Sequence, residues 1–405
     1  MAVKDGAAEG IRHSRLEAMT PSAIRAVHNL AMELRSADPG MDFLPMHFGE
    51  SDAGTPEFIV EAGVRALREG AHFYENNSGR PDLTAALAQA WSTRLGMEVP
   101  PGAFVVTSGG VQAIHLSLQG LLSPGDHIIN ITPSWPNFRE AAIMAGATVH
   151  DCPLVFSAEE SAFHLDLSAM ETLADSLPAL RMVIVNSPSN PTGNVLDEEE
   201  MLALLAFCDR RGAVLMADEM YDRIQFTGKP LPSFWQLRRT GQPLVVINGF
   251  SKTYAMTGWR LGYLLTDPGL AGQLAAMQEF VTSCAPAAAQ VAARTALLEG
   301  ESYVAESLAR YQALRDLTVT RLEGIPGARV ARPQGSFYAF FQLPGSGDSL
   351  AYCQKLLRET GVALAPGVAF GVGGEGWLRL CFAKSTGVLE KALSKIDAFV
   401  AEFGQ

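Results

Sequence analysis

The stretch Asn248-Gly-Phe-Ser-Lys-Thr-Tyr-Ala-Met-Thr-Gly-Trp-Arg260 carries more information about this chain than any other part of the sequence. It follows an apolar, strand-like run, Leu244 to Ile247, and it places Lys252 among small residues in a turn. An amine in such a place can form a Schiff base with an aldehyde, and Arg260 can hold a phosphate with its planar set of donors. A surface lysine at the end of a strand is the alternative interpretation. Five further motifs argue against it.

The composition limits the classes of function. The chain has 405 residues, 48% of them hydrophobic and 18% charged, with a net charge of −12. These values are ordinary for a globular enzyme and argue against nucleic-acid binding through a basic surface. The five cysteines are scattered without zinc or redox spacing, so we predict a cytoplasmic protein with no metal site. The most apolar long stretch, residues 281–298, contains Gln290 and Arg294 and predicts a buried helix rather than a membrane span.

Strand and helix patterns alternate over the first three quarters of the chain. Short runs rich in β-branched residues predict strands, and helical periodicity separates most of them, which favours an α/β fold with a mostly parallel sheet covered by helices. The predicted strands are Met46–Phe48, Phe104–Val106, His127–Ile131, Met182–Val185, Ala213–Ala217 and Leu244–Ile247. After about residue 300 the pattern becomes α+β and predicts a smaller domain. We expect an N-terminal arm at 1–48 that contributes to the small domain, a large domain at 49–295 and a small domain at 296–405.

Two motifs at predicted strand ends suit a phosphate and a flat ring. The run Thr107-Ser-Gly-Gly-Val-Gln112 follows a strand and opens a helix, where backbone amides can approach an anion. Trp135, after the next strand, can lie over a heteroaromatic ring or can belong to the core.

Two further strand ends carry polar groups. Asn190 lies in the Pro-rich loop 186–193 and can present its amide to a ligand. Asp218 directly follows an apolar strand, where an unpaired carboxylate is costly to bury. A cationic ring nitrogen would compensate its charge, and Tyr221, three residues later, can donate a hydrogen bond to the same ring. A surface carboxylate that caps a helix is the alternative for Asp218.

The last motif lies in the predicted small domain. Arg379 interrupts an apolar strand-like run, Trp377 to Phe382. An arginine in such surroundings needs an anion, and either a substrate carboxylate or an internal acidic residue would serve. Most of these polar residues follow strands, and open α/β sheets bind ligands at the carboxyl ends of their strands.

Together these motifs resemble those of the class I/II aminotransferases, fold-type I pyridoxal-phosphate enzymes of the aspartate aminotransferase superfamily. The resemblance runs from about Ser22 almost to the C-terminus. It implies a seven-stranded, mostly parallel sheet between helices, with pyridoxal 5′-phosphate as cofactor. It also implies ping-pong transfer of an amino group from an L-amino acid to a 2-oxo acid through an aldimine of Lys252, which also moves the substrate's Cα proton.

The resemblance assigns the remaining roles residue by residue. Asp218 would pair with the pyridine nitrogen, Tyr221 and Asn190 would contact the phenolic oxygen, and Trp135 would stack on the ring. Arg379, with Asn190 and the backbone of Gly49, would bind the substrate α-carboxylate. The phosphate would be held by Ser251, Arg260 and the amides around Gly109, Gly110 and Val111. Tyr74 resembles a tyrosine that reaches the phosphate of the neighbouring subunit, which implies a homodimer.

The chain also departs from the family pattern. Members that act on aspartate often carry a lysine where this chain has Val111, so we expect apolar or aromatic substrates. An arginine could replace that lysine, and the open candidates are Arg12, Arg15, Arg25, Arg80 and Arg139. His47 and Phe48 stand where smaller or aliphatic residues are more usual. Either can face the substrate, although we expect a packing role.

Two alternatives use the same fold. A β-eliminating lyase of the C–S lyase type would keep Lys252, Asp218 and Arg379, so the motifs do not distinguish it from an aminotransferase. A regulatory domain that binds pyridoxal phosphate without turnover resembles fusions with a DNA-binding module. Only 48 residues precede Gly49, too few for such a module together with the N-terminal arm, and the acidic charge also argues against it.

Overall fold

The computed structural model describes residues 17–403 and is built around a seven-stranded sheet with the strand order β2-β10-β9-β8-β7-β3-β4. These strands are β2 (Phe104–Thr107), β3 (His127–Thr132), β4 (Thr148–Pro153), β7 (Leu180–Asn186), β8 (Val214–Asp218), β9 (Leu244–Gly249) and β10 (Gly262–Leu265). Five of them, β4, β3, β7, β8 and β9, are parallel neighbours, whereas β10 runs antiparallel to β9 and β2. The predicted mostly parallel sheet is therefore confirmed, and the antiparallel β10 was not predicted.

Helices cover both faces of this sheet. Strands such as β2, β8 and β9 are buried along their whole length, because apolar clusters pack against both faces. The helices are α1 (Ala23–Ala37), α2 (Glu57–Arg68), α3 (Pro81–Leu95), α4 (Gly110–Leu121), α5 (Asn137–Ala145), α6 (Leu167–Asp175), α7 (Glu198–Arg211), α8 (Phe234–Leu237), α9 (Pro268–Gln278), α10 (Ala287–Glu299), α11 (Glu301–Glu323), α12 (Ser349–Thr360) and α13 (Thr386–Phe403).

A second sheet of four strands, in the order β11-β12-β15-β14, lies in the C-terminal part of the chain. Its strands are β11 (Arg329–Ala331), β12 (Tyr338–Gln342), β14 (Ala365–Pro366) and β15 (Leu378–Cys381). Two more pairs complete the strands, namely β1 (Leu44–Pro45) with β13 (Val362–Ala363) and the hairpin of β5 (Val155–Ser157) and β6 (Ala162–His164).

Helix α1 belongs to the same apolar core as the C-terminal sheet. Val27, Leu30 and Ala31 of α1 pack in one cluster with residues of β12, β15 and α13. The parallel pairing of β1 with β13 ties the N-terminal segment to this part of the chain. This packing is in keeping with an N-terminal arm that joins the small domain, while the exact limits 1–48, 49–295 and 296–405 stay a prediction.

Two local predictions were wrong. Residues 46–48 form a bend rather than a strand, and strand β1 lies just before them. Met46 still forms backbone hydrogen bonds with Ala363 and Cys381, but the carbonyl of His47 accepts its hydrogen bond from the side chain of Arg379. The helix expected over 281–298 begins only at Ala287, because Pro286 directly precedes it and a proline disfavours helical geometry in the residue before it. Within residues 17–403, no helix combines the length and hydropathy needed to cross a membrane.

Candidate active site

The carboxyl ends of β2, β3, β7, β8 and β9 open onto one pocket of about 520 Å³. Each strand ends in the polar or glycine-containing loop that the sequence had singled out, so residues far apart in the chain meet there. The pocket's lining includes Gly49, Gly110, Val111, Trp135, Asn190, Asp218, Tyr221, Ser251, Lys252, Arg260 and Arg379. The remaining two predicted site residues, Gly109 and Tyr74, do not belong to this lining.

Lys252 lies in the turn after β9 and points its amine into the pocket. The Nζ atom donates a hydrogen bond to the carbonyl oxygen of Gly49 over 2.7 Å. Burial lowers the pKa of Lys252 to about 8, and the nearby positive charges of Arg379 and Arg260 act in the same direction. The amine is therefore partly neutral near physiological pH, which a nucleophile or a base requires.

Asp218 ends β8 as a buried carboxylate. Its Oδ1 atom accepts a hydrogen bond from the backbone amide of Met220 over 2.9 Å. Among residues 17–403, no arginine or lysine lies within ion-pair distance of Asp218, and burial raises the pKa of its carboxyl group to about 7. A cation in the pocket would favour the charged form of this carboxylate.

Tyr221 is held by a residue that the sequence analysis missed. Its hydroxyl lies 2.7 Å from the hydroxyl of Tyr338 on β12, and both phenol rings are buried. Burial raises the pKa of Tyr221 well above 10, so its hydroxyl stays protonated and can donate a hydrogen bond. The signal for Tyr338 in the sequence was weak, because one tyrosine in an apolar strand is usually part of a core.

The loop between β2 and α4 forms a cradle with Arg260. Gly109 adopts φ +87°, a left-handed conformation that favours glycine, and a Cβ atom there would lie 2.5 Å from Nη2 of Arg260. The guanidinium group therefore rests directly against the glycine loop. Its Nη1 atom donates to the carbonyl of Thr257 over 2.9 Å. Next to this contact, helix α4 begins at Gly110, and its N-terminus favours an anion.

Arg379 is a buried cation without a carboxylate partner among the described residues. Only 3% of its surface is exposed. The Nη1 atom donates to Oδ1 of Asn190 over 2.7 Å, Nη2 donates to the carbonyl of His47, and Nε has no partner. Two neutral oxygens do not neutralise a buried guanidinium, so this part of the pocket favours an anionic ligand.

Trp135 and Tyr74 differ in their relation to the pocket. Trp135 is half-buried and lines the wall, where its ring packs at right angles to that of Phe138. Tyr74 is 89% exposed and does not line the pocket of its own chain. Its predicted contact with the site of a neighbouring subunit therefore stays a prediction.

His47 and Phe48 both line the pocket. His47 is fully buried, and its Nε2 atom lies 3.2 Å from Nδ1 of His28 on α1. Burial and the neighbouring charges lower the pKa of His47 to about 3, so the imidazole is neutral. Phe48 packs against both histidine rings, at 4.8 and 4.1 Å between ring centroids. The expected packing role thus holds together with a position in the pocket wall.

The residues present suit pyridoxal phosphate. Asp218 is a buried carboxylate that lacks a cation, the cradle of Gly109 and Arg260 suits a dianion, and the amine of Lys252 points into the same space. These three features match the pyridine nitrogen, the phosphate and the aldehyde of that cofactor. Within residues 17–403, all three features lie at the edge of the seven-stranded sheet where its parallel strands end.

The comparisons with known proteins agree with this interpretation. Residues 42–396 match the family described as aminotransferase class I and II. An aspartate aminotransferase of Thermotoga maritima is 34% identical over 361 residues, 89% of this chain and 92% of that protein. A valine–pyruvate aminotransferase of Mycobacterium tuberculosis is 34% identical over 363 residues, 89% of this chain and 91% of that protein. The structure of a Thermus thermophilus aspartate aminotransferase mutant superposes with a TM-score of 0.88 at 32% identity and covers 96% of this chain and all of that one.

Proposed function

Since the chain belongs to the class I and II aminotransferases, which depend on pyridoxal phosphate, we propose that it transfers the amino group of an apolar or aromatic L-amino acid to a 2-oxo acid. The observation that carries this proposal is the arrangement of Lys252, Asp218 and Arg379 around one pocket. A base, a buried carboxylate and a buried cation without a carboxylate partner among the described residues are the groups that transamination needs from the protein.

Bound pyridoxal phosphate supplies the electron sink that lets a Cα–H bond of an amino acid ionise. Lys252 is the residue that takes the proton from the substrate's Cα at its Nζ atom. The lowered pKa of Lys252, about 8, leaves enough neutral amine for this role. The carbonyl of Gly49, 2.7 Å away, accepts a hydrogen bond from Nζ and so orients it.

Asp218 and Tyr221 would hold the ring of the cofactor. The carboxylate of Asp218 is buried and stabilises a protonated pyridine nitrogen, since a buried charge needs a partner of opposite sign. Tyr221 donates its hydroxyl towards the phenolic oxygen, together with Asn190. Tyr338 keeps the hydroxyl of Tyr221 in place through the 2.7 Å contact between the two oxygens. Trp135 in the pocket wall would stack on the ring.

Arg379 would bind the α-carboxylate of the substrate. Its fixed hydrogen bonds to Asn190 and His47 orient the guanidinium group before a substrate arrives. A planar guanidinium pairs with a carboxylate through two parallel hydrogen bonds. The substrate is thereby held at one end, and its Cα is presented to Lys252.

The side chain of the donor would meet an apolar wall. Val111 stands at the start of α4, and Phe48 and Ile24 also line the pocket. These apolar side chains favour apolar and aromatic substrate side chains. The valine–pyruvate aminotransferase among the relatives acts on such a substrate by its name, which supports the same preference.

The proposed enzyme is a homodimer. Phe73, Tyr74 and Phe280 are each more than 80% exposed, and the loops that carry them are joined where the amide of Glu75 donates to Sγ of Cys284. Gln112 in the first turn of α4 bonds to Thr282 of the same loops, so this apolar surface adjoins the phosphate cradle. A second copy that covers it would remove large apolar side chains from water and bring Tyr74 to a phosphate. Sedimentation at equilibrium tests this directly, since a monomer at micromolar concentration would contradict it.

We place the enzyme in the cytoplasm. All five cysteines are free, and four of them are buried, which suits a compartment that keeps thiols reduced. Fractionation of cells that express the tagged chain would test the location.

The deciding experiment follows the absorption of the purified protein with pyridoxal phosphate while amino acids are added one at a time. We expect a visible band that is absent in Lys252→Ala and that phenylalanine, leucine or valine converts to the near-ultraviolet band of the aminated cofactor, with an equal amount of 2-oxo acid. Pyruvate and ammonia without that conversion would indicate β-elimination instead. A visible band that no amino acid changes would contradict turnover.

A further inference from the structure

We infer that Arg25 is a specificity residue that binds the second carboxylate of a dicarboxylic substrate, such as glutamate or 2-oxoglutarate, in the amino-acceptor half of the reaction. The inference rests on the proposed function and extends it. The apolar wall accounts for the side chain of the amino donor but does not identify the 2-oxo acid that accepts the amino group. Val111 lines the pocket without a charge, so a cation for such a carboxylate would come from elsewhere in the lining.

Arg25 lies at the mouth of the pocket. It belongs to the first turn of α1, and it lines the cavity together with Ile24 and Phe48. The carbon atom of its guanidinium group lies 5.1 Å from the centroid of the Phe48 ring, a distance at which a cation is attracted to an aromatic face. The side chain is exposed to solvent on its other side. A charge in this position can turn from the ring towards an incoming carboxylate.

The proposed function already assigns a role to each of the other cations that line the pocket. Its remaining lining lysine and arginines are Lys252, Arg260 and Arg379, which serve the amine chemistry, the phosphate and the α-carboxylate. His47, although close, is neutral because its pKa is lowered to about 3. Arg25 is therefore the one lining lysine or arginine among the described residues that the proposed function leaves without a role.

The structure also separates Arg25 from the other arginines that the sequence left open. Arg80 pairs with Glu75 at 2.5 Å, and Arg139 pairs with Glu140 at 3.2 Å. Neither of them lines the pocket. The candidates Arg12 and Arg15 lie outside the described residues.

No carboxylate of residues 17–403 lies within ion-pair distance of the Arg25 guanidinium, and the first turn of α1 holds no acidic residue. Two acidic residues, Glu50 and Asp218, line the same pocket. Glu50 accepts a hydrogen bond from Thr257 over 3.3 Å, and Asp218 faces the position proposed for the ring nitrogen. Thus, a dicarboxylic substrate would find an arginine available at each end, Arg379 for one carboxylate and Arg25 for the other.

The test compares Arg25→Met with the unaltered holoenzyme. Methionine keeps an unbranched side chain that reaches as far as Nε of arginine, and it removes the charged guanidinium group that lies over Phe48. We expect kcat/KM for glutamate and 2-oxoglutarate to fall about 10- to 100-fold, the range of one charged hydrogen-bonded contact, while kcat/KM for norvaline and phenylalanine stays within about twofold. Arg25→Lys should recover part of the loss, since it restores the charge without the planar fork.

A binding measurement gives a readout that does not depend on turnover. Glutarate and pentanoate have the same carbon chain and differ by one carboxylate, and neither can react. We expect Arg25→Met to weaken inhibition by glutarate about 10-fold or more and to leave pentanoate unchanged. Arg139→Met is the matched control, because it removes an arginine from the neighbouring helix α5 that does not line the pocket.

The outcomes for Arg25 and for the proposed function can be told apart. Equal losses for glutamate and norvaline in Arg25→Met, or equal losses in Arg139→Met, would overturn the specificity role while transamination itself stands. An unaltered enzyme that accepts phenylalanine but neither glutamate nor 2-oxoglutarate would also overturn it. Failure to convert any amino acid would reject both the proposed function and the role of Arg25.

Discussion

Arg379 and Asn190 join the two sheets of the molecule at the active site. The Nη1 atom of Arg379, on β15 of the four-stranded sheet, donates to Oδ1 of Asn190, in the loop after β7 of the seven-stranded sheet, over 2.7 Å. The contact fixes a buried cation at the point where the chain's two cores meet. It also means that the site exists only when both parts of the chain are folded and docked.

Replacement of Arg379 by lysine should therefore damage substrate binding far more than cofactor binding. Lysine cannot form two parallel bonds to a carboxylate and at the same time bond to Asn190 and His47. We expect kcat/KM for the best amino acid to fall roughly 30-fold to several thousandfold in steady-state assays. This fall corresponds to a loss of about 2–5 kcal/mol in transition-state stabilisation. The control is Arg332→Lys, an arginine of the same part of the chain that pairs with Glu323 at the surface. A fall of similar size in cofactor affinity would point to misfolding instead.

Gly109→Ala should weaken the hold on the phosphate. The left-handed backbone at φ +87° disfavours alanine, and its Cβ atom would lie 2.5 Å from Nη2 of Arg260. We expect the dissociation constant for pyridoxal phosphate to rise about 10-fold or more, with roughly 1–3 kcal/mol of backbone strain. Equilibrium dialysis of the apoprotein measures the affinity.

Gly212→Ala separates the two effects of Gly109→Ala, namely the strain of a positive φ and the close contact with Arg260. Gly212 also has a positive φ, +62°, but a Cβ atom there would meet nothing within 4 Å. This variant should lose stability without any change in cofactor affinity. An equal loss of affinity in both variants would show that strain alone, and not the contact with Arg260, explains the result.

The stability of the apoprotein should depend on pH through Asp218. Burial raises its pKa from the ordinary 3.8 to about 7, so the folded chain holds a proton that the unfolded chain has lost between these values. The stabilisation from the neutral carboxyl is present at acid pH and disappears as pH rises through 7, an effect of up to about 4 kcal/mol. Thermal unfolding of Asp218→Asn should show an advantage over the unaltered apoprotein at pH 8 that shrinks towards pH 5.

The same substitution should reverse its effect once cofactor is added. Asparagine cannot neutralise a protonated pyridine nitrogen, so Asp218→Asn should gain less stability from pyridoxal phosphate than the unaltered protein does. Glu159→Gln, at an exposed position, serves as the control and should follow the unaltered protein at both pH values. An advantage of Asp218→Asn that is independent of pH would contradict the raised pKa.

Tyr338→Phe tests whether Tyr338 acts through Tyr221. Loss of the 2.7 Å contact leaves the hydroxyl of Tyr221 free to rotate, so we expect a loss of about 1 kcal/mol in transition-state stabilisation, or roughly fivefold in kcat/KM. The visible band of the bound cofactor should shift in the same direction as in Tyr221→Phe and by a smaller amount. A shift in the opposite direction would show that Tyr338 acts independently.

Much of the sheet and of the pocket could be predicted because local patterns determine them. Asp218 and Asn190 follow buried strands directly, and parallel strands bring their carboxyl ends to one edge. The antiparallel β10 could not be predicted, since its four residues, Gly262–Leu265, carry the same apolar pattern as a parallel strand. Only its hydrogen-bond partners, Phe104–Thr107 and Leu244–Gly249, decide its direction.

The pocket wall depends on contacts that a sequence does not display. Five arginines were equal candidates for a substrate contact, and their ion pairs distinguish Arg80 and Arg139 from Arg25. Tyr338 was missed because its partner, Tyr221, is 117 residues away. Residues 46–48 were wrongly predicted to form a strand, because the carbonyl of His47 accepts a hydrogen bond from the side chain of Arg379, far away in the sequence.

The packing of α1 on the C-terminal core has a consequence for substrate length. Val27 and Leu30 of α1 share one cluster with Leu378 and Leu380, which flank Arg379, whereas Ile24, next to Arg25, packs in the core of the seven-stranded sheet. Helix α1 therefore contacts both cores beside the pocket. The separation of Arg25 and Arg379, and with it the length of diacid that both can bind, depends on how α1 packs on the two cores.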